Sequence, residues 1–141
     1  MNSLVPDLRV CTVLQEGLPP GIATNVGACL AAGLAAALPG WAGQGLKDAG
    51  GWTTWASSAL PIAVLRADAA GLRRLATPLQ YIPAEARVVL FPAYARQMHD
   101  AQAYWQVHAQ RSHVQEDLLG IGLVGPRPWV KSLTGALPLW R

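Results

Sequence analysis

Residues 8–38, LRVCTVLQEGLPPGIATNVGACLAAGLAAAL, decide the fold class of this chain. The apolar and β-branched run at residues 8–14 ends at the turn-like EGLPPG, which predicts a buried strand. Apolar residues then recur every four positions up to the Pro-Gly pair at 39–40, which predicts a helix from residue 21. The recurring residues are Val26, Leu30, Leu34 and Leu38. A strand, a turn and a helix form the repeating unit of α/β proteins.

The rest of the chain continues this alternation. Glycines 120 and 122 indicate that a helix or backbone passes close to the last strand, and Gly135 is expected to end the last helix in a left-handed conformation. We expect one domain, residues 1–141, folded as a three-layer α/β/α sandwich around a four-stranded mixed sheet. The further strands are predicted at residues 60–66, 86–91 and 118–124, and the further helices at residues 69–77, 92–110 and 128–133.

Residues 40–58 are rich in glycine and tryptophan and lack a clear period, which predicts a long loop. Asp48 precedes two glycines and is expected to form a turn. Three tryptophans, at positions 41, 52 and 55, would be costly to expose. They are expected to line a pocket, close a dimer or cover the sheet.

Composition excludes several classes. Charged residues make up only 13% of the 141 residues, so the surface is poor in charge and we expect a homodimer. The net charge of +3 is dispersed along the chain, which disfavours nucleic-acid binding. The apolar stretch at residues 26–38 is shorter than a membrane span.

Two cysteines, Cys11 and Cys29, lie in apolar surroundings without a CxxC spacing, so we expect buried free thiols. The first ten residues, MNSLVPDLRV, do not form a secretory signal. We therefore expect a cytoplasmic protein.

The final segment, LLGIGLVGPRPWVKSLTGALPLWR at residues 118–141, resembles the closing segment of type 2 peptidyl-tRNA hydrolases. A closer resemblance is to an uncharacterised bacterial family that shares this fold and is classed as a domain of unknown function. Its marks are LPPG at 18–21 with Asn25, DAGG at 48–51, LPI at 60–62 and the LTGALPLWR terminus. The resemblance implies a peptidyl-tRNA hydrolase type 2-like fold.

Two departures from the hydrolases affect the activity that the resemblance implies. Those enzymes carry a lysine-rich turn and a glutamine in the first helix, whereas the turn here reads PPGIATN. Their Asp-Ala-Gly-Thr stretch before the last strand is also unmatched in HAQRSHVQED at residues 108–117. The fold is therefore carried over, and whether the chain is an enzyme stays open.

The turn after the first strand is the favoured place for a small ligand or partner, because open α/β sheets bind ligands where a strand ends and a helix begins. An alternative is that Asn25 or Thr24 only satisfies donors at the helix terminus. Residues of the fold-matching terminus complete the candidate set. The ligand-binding candidates are Glu16, Gly21, Thr24, Asn25, Lys131 and Thr134.

Other chemistry has weaker support. His99, His108 and His113 lie beside acidic residues, but spacings of nine and five do not match a metal motif. No GxSxG sequence is present. We expect no metal and no cofactor, and we identify no catalytic residue. Two alternatives to ligand binding stay open: a hydrolase acting on peptidyl-tRNA or a related ester, and an interaction module acting as a homodimer.

Overall fold

The computed structural model describes residues 7–141, where strands and helices alternate along the chain. Residues 1–6 lie outside this range. The prediction that the first ten residues form no secretory signal falls mainly on them. The elements are β1 (Leu8–Gln15), α1 (Pro20–Ala37), β2 (Gly45–Lys47), β3 (Thr53–Trp55), β4 (Ile62–Ala67), α2 (Ala69–Ala76), β5 (Arg87–Pro92), α3 (Ala101–Ala109), β6 (Leu118–Pro126) and α4 (Arg127–Thr134).

Four strands form a mixed sheet in the order β4-β1-β6-β5. Strand β1 pairs in parallel with β4 and antiparallel with β6, and β5 pairs antiparallel with β6. Strands β1 and β6 therefore lie at the centre, where almost every side chain is buried. The sequence-based expectation of a four-stranded mixed sheet is confirmed.

Helix α1 covers one face of the sheet. Its buried residues Val26, Leu30 and Leu34 pack on side chains of β1 and β6. A Cβ atom at Gly120 would lie 2.9 Å from both Leu30 Cδ1 and Val26 Cγ1, and one at Gly122 would lie 3.0 Å from Leu34 Cδ1. The close approach expected at these two glycines is confirmed.

Helices α2 and α4 cover the opposite face. Cys11 and Val13 of β1 point to this side and pack with Leu72 of α2 and Val130 of α4. Asp68 begins α2 as expected, because its Oδ1 accepts a hydrogen bond of 2.7 Å from the Gly71 N–H. The sheet thus lies between helices on both faces.

Two helix predictions are wrong. The helix expected at residues 92–110 is interrupted, because a 3₁₀ turn at Ala93–Gln97 gives way to extended backbone at Met98. Asp100 then begins α3 by accepting hydrogen bonds from the backbone N–H groups of Gln102 and Ala103. Gly135 is right-handed, with φ −61°, and not left-handed.

Residues 40–58 contain a hairpin that the sequence analysis missed. Strands β2 and β3 pair antiparallel, and Asp48 forms the expected turn by accepting hydrogen bonds from the N–H groups of Gly50 and Trp52. Trp41 is buried, whereas Trp52 and Trp55 are 72% and 77% exposed. The hairpin therefore displays two of the tryptophans instead of covering the sheet with them.

The end of the chain pairs with the edge strand β4. Leu139 forms a bridge with Leu65, and the Trp140 N–H donates a 2.8 Å hydrogen bond to the Val64 carbonyl. The Arg66 N–H donates to the Pro138 carbonyl in the same way. The tail thus satisfies backbone groups that an edge strand leaves unpaired.

Helix α1 differs from expectation in two ways. The apolar stretch at residues 26–38 was expected to be shorter than a membrane span, but the helix has 18 residues with a mean hydropathy of 1.4. By length and composition alone it could cross a membrane. Core helices of soluble proteins meet the same two criteria. Cys29 is exposed, not buried, because Leu30 takes the position of α1 that faces the sheet. Cys11 is buried as expected.

Candidate functional site

A groove of about 440 Å³ runs between α1 and β5, and we call it the α1–β5 groove. Leu30 of α1 and the half-buried Val89 and Phe91 of β5 supply its apolar part. Cavities of this size commonly hold small molecules. Its polar side chains are Asn25, Cys29, Arg96, His99 and Tyr104.

The interruption after β5 places three of these polar side chains. Arg96 lies in the 3₁₀ turn, His99 lies in the extended link, and Tyr104 lies one turn into α3. The Ala93 N–H donates a 2.8 Å hydrogen bond to the Asp117 carbonyl, which ties the start of this segment to the residue before β6. A continuous helix would have spread these side chains around its axis.

Arg96 brings a positively charged side chain to the groove. All eight acidic side chains of the chain lie within residues 7–141, and the ion pairs formed there involve Arg66, Arg73, Arg111 and Arg127. Arg96 is exposed and has no carboxylate partner within this range. Its guanidinium is therefore available to an anionic group from outside the chain.

Tyr104 adds a neutral hydroxyl group to the groove. Burial raises its pKa, so the phenol stays protonated near neutral pH and can donate a hydrogen bond. Its ring packs edge-on against Tyr94 and His108, with centroid distances of 6.0 and 6.1 Å. These contacts hold the ring at the rim of the groove.

Two ligand-binding candidates from the first turn, Thr24 and Asn25, lie in different grooves. Asn25 lines the α1–β5 groove, whereas Thr24 lines a second groove on the other flank of α1. Neither residue caps the helix, because α1 already begins at Pro20. The Thr24 hydroxyl instead donates a 2.7 Å hydrogen bond to the Pro20 carbonyl, and Asn25 Oδ1 accepts from Cys29 Sγ at 3.9 Å.

The other candidates lie apart from both grooves. Glu16 forms an ion pair with Arg66 at 3.3 Å, and Gly21 is exposed in the first turn of α1. Lys131 and Thr134 belong to α4 on the opposite face of the sheet, where the buried Thr134 hydroxyl donates to the Val130 carbonyl. The six candidates therefore do not form one site.

The three histidines are also separated. His99 lines the α1–β5 groove, whereas the rings of His108 and His113 stack with centroids 3.9 Å apart. Tyr94 Oη lies 2.6 Å from His113 Nε2. Burial, followed by the charge of His108, lowers the pKa of His113. No group of three or more metal-binding side chains is assembled within residues 7–141.

Sequence reasoning missed Arg96, His99 and Tyr104 as members of one site. The readable signal was Asp100, a good helix N-cap, which divides the segment into a turn and a shorter helix. That these residues share a site with α1 depends on the packing of β5 beside that helix. This packing brings Arg96, His99 and Tyr104 near residues of α1 that lie 66–79 positions earlier in the sequence. No local pattern reports such a distance.

The fold and groove define a small mixed α/β protein with a cavity beside its first helix. The family model described as "Protein of unknown function (DUF2000)" matches residues 8–141, and the chain belongs to this family. A solved structure of a protein of unknown function from Agrobacterium tumefaciens strain C58 is similar, with a TM-score of 0.84 and 22% identity over 97% of this chain and 100% of that one. No functionally curated protein matches.

Proposed function

We propose that the protein binds a small molecule with an apolar body and a carboxylate or phosphate group in the α1–β5 groove. The observation that carries this proposal is Arg96, a guanidinium without a carboxylate partner in residues 7–141, at the wall of an apolar cavity. Charge-assisted hydrogen bonds to such a group are among the strongest in proteins. Tyr104 and Asn25 supply further hydrogen-bonding groups.

Octanoate and octyl phosphate are suitable probes, since they share an alkyl body and differ in the anionic group. We expect at least one of them to give saturable binding by isothermal titration calorimetry. Arg96→Gln removes a charged hydrogen bond of about 1.5–3 kcal/mol and should weaken binding about tenfold or more. Arg74→Gln, on the opposite face of the sheet, is the matched control and should leave affinity unchanged.

Two results would refute the proposal. One is the absence of binding by both anions at millimolar concentration. The other is an equal effect of Arg96→Gln and Arg74→Gln, which would assign any binding to general charge. Octanoate binding without octyl phosphate binding would define the ligand as a carboxylic acid, and the reverse would define a phosphate.

We also infer a peptidyl-tRNA hydrolase type 2-like fold. The Gly120-Ile121-Gly122 strand against α1 and the LTG terminus support it. The related activity has no such support, because the turn before α1 contains no lysine. Among residues 7–141, moreover, no serine or cysteine side chain is hydrogen-bonded to a histidine. Release of tRNA from peptidyl-tRNA by the purified protein would contradict this view.

Self-association is a second candidate role, favoured by the exposure of Trp52 and Trp55 on the hairpin. Both side chains belong to one short hairpin segment, and contiguous exposed apolar surface commonly marks an interface. We expect a dimer by light scattering and a monomer after Trp52→Ser and Trp55→Ser together. A monomeric native protein at all concentrations would remove this role.

A cytoplasmic location is in keeping with two free thiols.

A further inference from the structure

Thr12 is an unusual residue at the centre of the sheet. It is 1% exposed, and its Oγ1 has no hydrogen-bond partner within residues 7–141. Buried hydroxyl groups are normally paired, because an unpaired one loses its bonds to water without replacement. Arg9 Nε and Trp41 Nε1 are buried without a partner in the described part of the chain as well, so Thr12 is singled out by the groove that it lines.

Thr12 lies in the wall of the second groove, which we call the α1–β4 groove. It has a volume of about 400 Å³ and lies on the flank of α1 opposite the α1–β5 groove. Thr12 shares the α1-facing side of β1 with Val10 and Leu14, so its side chain lies on the side of the sheet that borders this groove. Val64 of β4 forms part of the wall and is 38% exposed.

The small residues of α1 on this flank are not required for close packing. At Gly33, a Cβ atom would lie 3.1 Å from Val89, whose side chain would have to give way by a few tenths of an ångström. At Gly27 the nearest atom to such a Cβ is Leu14 Cδ1 at 4.0 Å, which is ordinary contact. Gly27 and its neighbour Ala31 therefore leave space between α1 and β4 that the sheet does not fill.

The lining defines the chemistry of the occupant. It contains no charged side chain, and its side-chain hydroxyls belong to Thr12 and Thr24. Trp140, held against β4 by its backbone, supplies an aromatic surface. An apolar cavity with one buried, unpaired hydroxyl fits a neutral lipophilic molecule with a single hydrogen-bonding group.

We propose that the α1–β4 groove is a second binding site, which takes an uncharged lipophilic molecule whose carbonyl or hydroxyl group pairs with Thr12. This site is separate from the α1–β5 groove, and it requires no anionic group.

The test uses 2-octanone as the probe and protein labelled with 5-fluorotryptophan, whose ¹⁹F resonance for Trp140 is assigned with Trp140→Phe. We expect 2-octanone to shift the Trp140 resonance saturably. Ala31→Leu should fill the groove and abolish the shift, whereas Ala32→Leu, on the exposed side of the same helix, should leave it unchanged. Thr12→Val keeps the shape of the side chain and should weaken binding about two- to tenfold.

Thr12→Val also has a readout that needs no ligand. Because it replaces an unpaired buried hydroxyl with a methyl group, it should raise the melting temperature of the free protein and confirm that the variant folds. The proposal is overturned if 2-octanone gives no saturable shift up to its solubility limit, or if Ala31→Leu leaves the shift intact. Equal affinities of the native protein and Thr12→Val would overturn the assigned hydrogen bond. Failure of octanoate to bind would affect only the α1–β5 groove.

Discussion

Replacement of Gly120 by alanine tests the packing of α1 on the central strands. The new methyl group would lie 2.9 Å from Leu30 Cδ1 and Val26 Cγ1, and 3.2 Å from Leu14 Cδ2. All three neighbours are buried, so at least one must leave its packed position. Extra carbon in a packed core costs about 1–3 kcal/mol. Alanine recovers about 0.5–1 kcal/mol of backbone entropy in a strand, which leaves a net loss of about 1 kcal/mol at the middle of the two ranges.

The assay is reversible thermal or urea unfolding followed by circular dichroism. We expect Gly120→Ala to lower the melting temperature by roughly 2–5 °C in a chain of 141 residues. Gly21→Ala is the matched control, because a Cβ atom there meets nothing within 4 Å and alanine favours a helix by up to about 1 kcal/mol. The two identical substitutions should therefore change stability in opposite directions. A Gly120→Ala protein as stable as its parent would refute the packing argument.

Three further predictions concern the thiols, the histidine pair and the hairpin. Iodoacetamide should modify the exposed Cys29 rapidly and leave Cys11 unmodified in the native protein, because burial raises the pKa of Cys11 to about 11; equal rates by mass spectrometry would contradict this. The pKa of His113 lies below its usual 6.5, so the unfolded chain takes up the proton first. The contribution of His113 to the free energy of unfolding should be fully present above pH 6.5 and fall as the pH drops toward the pKa of the folded state. The fall should be less steep in His108→Gln. Urea unfolding at several pH values measures both. Asp48→Ala removes two turn hydrogen bonds and should increase hydrogen exchange at β2 and β3 without changing exchange in the central sheet.

Features that depend on nearby residues were accessible from the sequence. The strand, turn and helix at residues 8–38, the cap at Asp68 and the turn at Asp48 each follow from residue types a few positions apart. Gly120 and Gly122 also predicted that a helix or backbone passes close to the last strand, because glycine inside an apolar strand is otherwise unfavourable. In all these cases the residues that determine the feature lie within one short segment of sequence.

The site was harder to predict because its parts meet through the sheet. Asn25 and Thr24 are adjacent in sequence, yet a helical step of about 100° sends them to different grooves. The availability of Arg96 depends on where every carboxylate of the chain lies, and four of them are paired with other arginines. Lys131 and Thr134 were candidates because they lie in the segment that carries the family resemblance, but α4 packs on the other face of the sheet.

The central strand pair has a consequence for synthesis of the chain. Strands β1 and β6 are neighbours in the sheet although their paired residues lie roughly a hundred positions apart in sequence. At typical elongation rates, about 5–20 s pass between the synthesis of β1 and that of β6. A nascent chain therefore presents the apolar β1 with one side unpaired for most of its synthesis, which makes this strand a natural binding segment for a ribosome-associated chaperone.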